Sequence, residues 1–330
     1  MKYPRRLLLR ACISALLMGA ACAHGAPAAW KPHKNVELIV PTGPGSGVDR
    51  TMRLIQKILQ EEKLVGSTMS VVNKPGGGGA LGWHYLSEHA GDAHYVEIAT
   101  ATLLTNHIIG RSPADYTNFT PLAILSSEYV AFAVNGASPL HGAQDLVSRL
   151  RKDPASVSFA LAPGLGNNFH VALALFMKAA GGDPRKLKVI AFSSSGNART
   201  ALLGDHVDVV STGASNIIPY LKGGQLRIIG IAAPHRMGGP LADVPTLKEQ
   251  GVNVVTVQWR GLLGAKGISA AQVAFWNKAL AQMVKSKDWK DDLAHHALVD
   301  SYTSGDKAKQ FLDEQYTALK SALAAAGMAK

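Results

Sequence analysis

Cysteine is almost missing from this chain of 330 residues: there are two, Cys12 and Cys22. Both fall in an N-terminal stretch that reads as an export leader. Four positive side chains (Lys2, Arg5, Arg6 and Arg10) precede an apolar run too short to cross a bilayer, and Ala21-Cys22-Ala23 offers a small-x-small cleavage site. Residues 1–23 are therefore expected to be a signal peptide, its boundary reaching to about residue 29 at most. Arg5-Arg6 lacks the rest of a twin-arginine signal. Gly19 stands where a lipid-anchored Cys22 would want a large aliphatic. A chain cut after Ala23 has no thiol, which excludes disulfides, cysteine nucleophiles and thiolate metal sites. The expected location is the periplasm.

Other absences narrow the function. No further segment is apolar and long enough to span a membrane. There is no H-E-x-x-H and no G-x-S-x-G around any serine, so zinc-peptidase and α/β-hydrolase chemistry lack their signatures. His84, His89 and His94 recur at five-residue steps that share no helical face, and the adjacent His295 and His296 diverge. No metal site and no cofactor is expected. Loss of the four leader positives takes the net charge from +11 to +7. That excess lies in short runs such as Arg185-Lys186-Leu187-Lys188 without interleaved aromatics, which argues against a nucleic-acid partner. A mildly basic surface suits an exported protein that handles small acids.

What the chain does contain is an alternation of short apolar runs with helical segments, the pattern of a parallel-sheet α/β protein. Strands are expected at Val36–Val40, Thr68–Asn73, Tyr95–Thr100, Leu122–Leu125, Tyr129–Val134, Ser156–Ala160, Lys188–Ala191, Val207–Ser211 and Leu226–Ile231, with a strand pair near Val254–Ala265. Met52, Ile55, Ile58 and Leu59 recur at helical spacing after the first strand. Further helices are expected at Ala80–Glu88, Ala143–Lys152, His170–Ala180, Ala270–Lys285 and Lys287–His296, and from Asp306 onward with Ser304 as a possible cap.

Gly-, Ser-, Thr- and Asn-rich turns follow strands in both halves. The first, Pro41-Thr42-Gly43-Pro44-Gly45-Ser46-Gly47-Val48-Asp49, connects a strand to a helix N-terminus, an arrangement that aims several N–H groups at an anion. A phosphate loop would end in Gly-Lys-Ser/Thr, whereas here Gly47-Val48-Asp49 stands. A dinucleotide fingerprint would need an acid after the second strand, which ends in Asn73-Lys74. Asp49 suits the N-cap of the next helix. An ionised Asp within ~4 Å of a ligand carboxylate would cost roughly 4 kcal/mol at an effective dielectric of 20, so capping, or contact with an ammonium or water, is the expected role. Thr100-Ala101-Thr102 and Ser193–Ser195 serve either as turn caps or as ligand contacts. Ala162-Pro163-Gly164-Leu165-Gly166-Asn167-Asn168 leads to His170, which either touches a ligand or packs at the helix start. Trp259 reads as packing between domains. Ligands of open α/β sheets bind at strand carboxyl ends, and two such sets describe a cleft.

Taken together these residues resemble the periplasmic substrate-binding proteins of tripartite tricarboxylate transporters, the Bug-type receptors. Pro41–Asp49 is similar to the family's P-x-x-P-G-G-x-x-D element, with Ser46 for a glycine. Val71-Val72-Asn73-Lys74-Pro75-Gly76-Gly77-Gly78-Gly79 resembles V-x-N-x-P-G-A-G-G. Leu202-Leu203-Gly204-Asp205-His206-Val207-Asp208 resembles L-L-G-G-x-V-D, and Leu241–Leu247 resembles L-x-D-V-P-T-L. The resemblance implies a two-lobed type II periplasmic binding fold, α/β with a mixed sheet in each lobe. Lobe 1 would span 31–125 with 232–330 and lobe 2 would span 126–231, joined by a two-strand hinge. It implies a non-catalytic monomer that delivers a small carboxylate to an integral-membrane permease. The ligand would be gripped by loop N–H groups, hydroxyls and waters rather than a dedicated arginine. The matching positions are Thr42, Gly43, Gly45, Ser46, Gly47 and Asp49 in the first loop and Thr100 and Thr102 in the next. Ala162, Gly164, Asn167, Asn168 and His170 follow, with Ser194, Ser195 and Asn216 in the last two turns. Phe192-Ser193-Ser194-Ser195-Gly196 departs from the family's Tyr-Lys-Gly-Gly, and the stretch Ser211–Asn216 departs from the family at a turn that commonly carries an acid or amide, so no relative's ligand carries over. The rival readings are an exported α/β enzyme acting on carboxylic acids and a sensory binding protein.

Overall fold

A computed structural model describes residues 30–325 and 327–330; the leader lies outside the described residues. The described chain forms ten strands in one mixed sheet, ordered β2-β1-β3-β9-β4-β7-β5-β6, with β8 and β10 also pairing β4. In chain order the elements are β1 (Val36–Val40), α1 (Gly47–Glu61), β2 (Met69–Asn73), α2 (Ala80–Ser87), β3 (Tyr95–Thr100), α3 (Ala101–Ile108) and β4 (Thr120–Asn135). Next come α4 (Ala143–Lys152), β5 (Ser158–Leu161), α5 (Asn168–Ala179), β6 (Lys188–Ala191), α6 (Ser195–Leu203), β7 (Val209–Gly213) and β8 (Leu226–Ile231). The C-terminal part adds β9 (Val257–Gly264), α7 (Ala270–Met283), α8 (Lys287–His295), β10 (Val299–Ser304) and α9 (Asp306–Ala325).

Two parallel trios repeat the same logic: β2-β1-β3 in one half and β6-β5-β7 in the other. Each strand runs into a short polar turn and then a helix, so strand carboxyl ends and helix N-termini lie together. The trios are joined through β4, whose 16 residues extend roughly 50 Å at strand rise. Its first part pairs antiparallel with β9 through Tyr129↔Val257, and its second part pairs with β7 from Val130↔Gly213 and with β8 from Ala131↔Ile231. The chain returns beside it at Ala232, whose N–H donates to the Val130 carbonyl at 2.8 Å.

The alternation of β4 buries both faces. Val130, Phe132 and Val134 join Phe159 and Phe176 in one cluster, while Ala131 and Ala133 pack with Ala198 and Leu202 in another. The stripe Met52, Ile55, Ile58 and Leu59 of α1 is buried, as its spacing predicts. Trp276 is fully buried and donates from Nε1 to the Ala93 carbonyl at 3.0 Å.

Three sequence expectations change. The two strands expected at Leu122–Leu125 and Tyr129–Val134 are one continuous β4, because Ser126, Ser127 and Glu128 are buried within the ladder rather than forming a polar break. The strand pair near Val254–Ala265 is the single β9, whose partners β3 and β4 are distant in sequence. Ser304 does not cap the last helix but ends β10, and Gly305 at φ +61° turns the chain into α9.

Candidate functional site

Three helices begin at one cavity. In each, a hydroxyl side chain takes the N-cap position and accepts a hydrogen bond from the first turn: Ser46 from the Asp49 N–H at 3.1 Å, Thr100 from the Thr102 N–H at 3.3 Å, and Ser194 from the Asn197 N–H at 3.2 Å. Thr42 and Ser46 share a hydrogen bond at 2.7 Å, which fixes the first loop against its own helix. The earliest N–H groups of a helix have no intrahelical partner, and each N-terminus carries about half a positive charge. Gly47 and Val48 of α1, Thr102 of α3 and Ser195 of α6 line the cavity together with their caps.

A fourth section of wall comes from glycines. Gly76, Gly77, Gly78 and Gly79 all have positive φ (+141°, +58°, +67° and +109°), a path that residues with a Cβ avoid. A Cβ on Gly79 would lie 2.7 Å from Trp83, so the bare backbone lets the indole reach the cavity. Across the opening, a Cβ on Gly164 would sit 3.2 Å from Gly78 Cα. Pro41, Ala162, Pro163 and Phe169 supply the remaining apolar contacts.

The polar floor is built from strands. Glu128 of β4, Gln258 and Arg260 of β9, and Asn216 after β7 face the cavity. Arg260 donates from Nη2 to Glu128 Oε1, and Glu128 Oε2 accepts from the Ser215 N–H at 3.2 Å. The two side chains are 1% and 2% exposed. Among the described residues no group accepts from Arg260 Nε or Nη1, and none donates to Gln258 Oε1. Asn216 donates from Nδ2 to Thr212 Oγ1 at 3.0 Å.

With this geometry the family model for the tripartite tricarboxylate transporter family receptor matches residues 52–328. The chain belongs to that family. BugT of Bordetella pertussis is 22% identical over 312 residues, covering 93% of this chain and 94% of that protein. Among solved structures, MatC from Rhodopseudomonas palustris with bound malate is 23% identical with a TM-score of 0.80, covering 88% of this chain and 99% of that one. Rpa4515 of R. palustris with adipate is 22% identical with a TM-score of 0.83, covering 90% and 99%. These likenesses establish the periplasmic binding fold of the tricarboxylate receptor type, a mixed α/β sheet flanked by helices.

Of the positions that the sequence singles out in this receptor, Thr42, Ser46, Gly47, Thr100, Thr102, Ala162, Ser194, Ser195 and Asn216 line the cavity. The others do not. Gly43 donates across the rim to the Ser193 carbonyl at 3.4 Å, and Gly45 supplies a left-handed turn at φ +79°. Asp49 is not the N-cap, a place that Ser46 takes. It is the third residue of α1, and its carboxylate accepts from the Gly45 N–H at 3.1 Å, Asn73 Nδ2 at 2.9 Å and Arg53 Nε. Burial pushes its pKa up, but those hydrogen bonds outweigh it and hold the carboxyl below its ordinary range. Asn167 caps α5 through the His170 N–H at 2.9 Å, and Asn168 Nδ2 donates to the Val257 carbonyl at 2.9 Å. Gly164 meets Gly78 at the rim.

His170 faces a separate hollow with Leu165, Leu187 and Met328. Its Nδ1 accepts from the Gly166 N–H at 3.0 Å, and burial together with the Arg111 charge lowers its pKa to about 4. It is therefore a neutral structural histidine. Trp259 packs edge-on against Phe311 at 6.0 Å, away from the cavity.

The sequence reading missed Gly78, Gly79, Trp83, Phe169 and the whole floor of Glu128, Gln258 and Arg260. The Gly76–Gly79 run was a visible signal. Nothing local marks the floor, since Glu128 and Arg260 are 132 residues apart. Another group legible only in the structure is Glu97, fully buried in β3 behind the Pro41 wall. Among the described residues neither of its oxygens has a partner, and burial drives its pKa well above the ordinary carboxyl range.

Proposed function

We propose that this chain is an exported solute-binding receptor that captures a small carboxylate in a cleft between two lobes and passes it to a membrane permease. The observation that carries the reading is the convergence of three capped helix N-termini on one cavity beside a buried arginine. Dipoles and hydrogen-bond donors fixed in this way attract a carboxylate without transforming it. The malate and adipate held by MatC and Rpa4515 support the same ligand class. The cavity wall offers no nucleophile–base pair. It has no histidine, Ser46 is engaged by Thr42 and Asp49, and Glu128 is tied to Arg260. That favours holding over catalysis.

In this reading the lobes are those expected from the sequence except that residues 232–256 join the second lobe, because Leu241, Leu247, Val252 and Val254 pack in the clusters of Ala131 and Phe132. The hinge is the pair of crossings at Glu128–Val130 and at Thr256–Val257, and the rim bonds Gly43 N–H to Ser193 O and Arg111 Nη1 to Leu165 O (2.9 Å) hold the closed state. The described helices include none long and apolar enough to cross a membrane, so delivery requires a partner that does.

Thermal unfolding against a panel of mono-, di- and tricarboxylates and amino acids tests the reading. A ligand present at 100 times its Kd stabilises by about 2.7 kcal/mol, or roughly 4 °C for a chain of this length. If no acid shifts the transition, or an acid that does so is consumed, the receptor reading fails.

A further inference from the structure

We propose that the segment after α9, residues 327–330, is a strap that holds the two lobes together on one flank of the cleft and so sets how readily the receptor opens. The inference rests on the two-lobe reading above and adds a control on the closure which that reading requires. The strap is anchored on the first lobe. Gly327 turns the chain back at φ +70°, its N–H donating to the Ala324 carbonyl at 2.9 Å and the Met328 N–H to the Leu323 carbonyl at 2.8 Å. This is the paired bonding of a glycine-ended helix, and it fixes the direction in which the chain leaves α9. The Lys330 N–H then donates to the Ile108 carbonyl of α3 at 3.1 Å, and the Lys330 stem covers Gly110, where an added Cβ would lie 2.6 Å from Cδ.

From that anchor the Met328 side chain reaches the other lobe. It lines the hollow outside the cleft whose remaining walls are Leu165, His170, Pro184, Arg185, Leu187 and Val189, all of them from the second lobe. The hollow continues an apolar seam. Ile108, Ile109 and Leu323 of the first lobe form one buried cluster with Val171 of the second, and Met328 and Leu175 pack against it from either side. Ile109 lies so close over Gly166 that a Cβ there would meet Cδ1 at 2.0 Å. The contacts across the rim at Gly43–Ser193 and Gly78–Gly164 are backbone contacts with little apolar area to bury. The seam therefore carries the apolar part of closure, which is lost to water when the lobes part. Methionine suits a contact that must form and break, because its flexible, uncharged chain fills an irregular hollow without desolvating a charge. A ligand that needs the closed form binds with an apparent Kd divided by the fraction already closed. The strap thus raises affinity without touching the ligand.

The test compares the wild type with Met328→Ser, which keeps the backbone anchors and removes the apolar reach, and with Met328→Leu, which keeps both. Small-angle scattering of the ligand-free proteins reads the opening, and calorimetric titration with malate and with adipate reads its effect on binding. Met328→Ser should have the larger radius of gyration and a Kd raised at least about three-fold for whichever acid binds. Met328→Leu should match the wild type in both. If Met328→Ser does not fold, Val171→Ala trims the same seam from the second lobe and should act in the same direction. A folded Met328→Ser with the wild-type radius and the wild-type Kd overturns the inference. So does one that melts earlier yet keeps both, since packing alone would produce that result. If neither acid binds the wild type, scattering alone decides the strap, and the carboxylate reading stands or falls by its own panel.

Discussion

Replacing Glu97 by leucine should stabilise this protein, and by more as the pH rises. The carboxyl is fully buried in β3, neither oxygen has a partner among the described residues, and an added Cβ on Gly82 would lie 2.9 Å from Oε1, so the side chain is enclosed. Burial without a counter-charge favours the protonated form. The folded chain therefore holds a proton that the unfolded chain has released above its ordinary pKa of about 4.3. Below that pH both states are protonated and the contribution is fully present. As the pH rises toward the raised folded value, each unit costs about 1.4 kcal/mol. Over the pH range between the ordinary and the raised value the wild type should thus lose stability that Glu97→Leu retains. Leucine also removes the orphaned oxygens, whose burial costs roughly 1–3 kcal/mol. Urea unfolding followed by circular dichroism at pH 5, 6 and 7, read as the difference between variant and wild type, isolates this one group. A difference independent of pH, or a variant less stable at pH 7, would refute the reasoning.

The remaining predictions concern the loops and the wall. His170 has the opposite sign: its folded pKa of about 4 lies below the ordinary 6.5, so its contribution is present above 6.5 and is lost as the pH falls toward 4. The total is on the order of 3 kcal/mol, and His170→Gln should flatten that acid limb in the same unfolding series. Ser46→Ala removes the cap of α1 and the partner of Thr42, and should cost about 1 kcal/mol, seen as a fall of roughly 1.5 °C in Tm. The same variant should bind its carboxylate more weakly by calorimetry, and unchanged affinity would move the anion elsewhere. Trp83 lines the cavity, while Trp259, Trp276 and Trp289 are fully buried away from it. Ligand titration should therefore change the tryptophan fluorescence of the wild type and leave that of Trp83→Phe unaltered.

Local chemistry was legible wherever a short segment settles its own structure. The glycine-rich first turn announced the start of α1, although Ser46 and not Asp49 caps it, and the run Ser193–Ser195 announced the cap of α6, because a cap bonds to N–H groups two or three residues away; α3 after Thr100 was not expected. The stripe of α1 was legible because a helix repeats its buried face every three to four residues. Asp49 was misread by three positions for a local reason: Ser46 and Asp49 both suit a cap, and only the position of Asn73, brought alongside by β2, draws the carboxylate outward. His170 was placed at the right turn, but its neighbours Leu165 and Met328 face a different hollow.

The sequence by itself determined the alternation of strand and helix, the anion-seeking turns, the absence of thiol chemistry from any chain cut after Ala23, and the receptor family. These depend on residue types within a few positions of one another. The tertiary structure decided which turns face one cavity and what lies on its floor. Glu128 and Arg260 meet because β4 and β9 pair antiparallel, bringing Ser126 opposite Arg260 and Glu128 opposite Gln258. β10 exists because β4 offers its Val299–Ser304 segment an edge. Glu97 is driven toward its protonated form because the fold encloses it. Charge and hydrogen-bonding state are properties of the surroundings, and for these residues the surroundings come from parts of the chain far away in sequence.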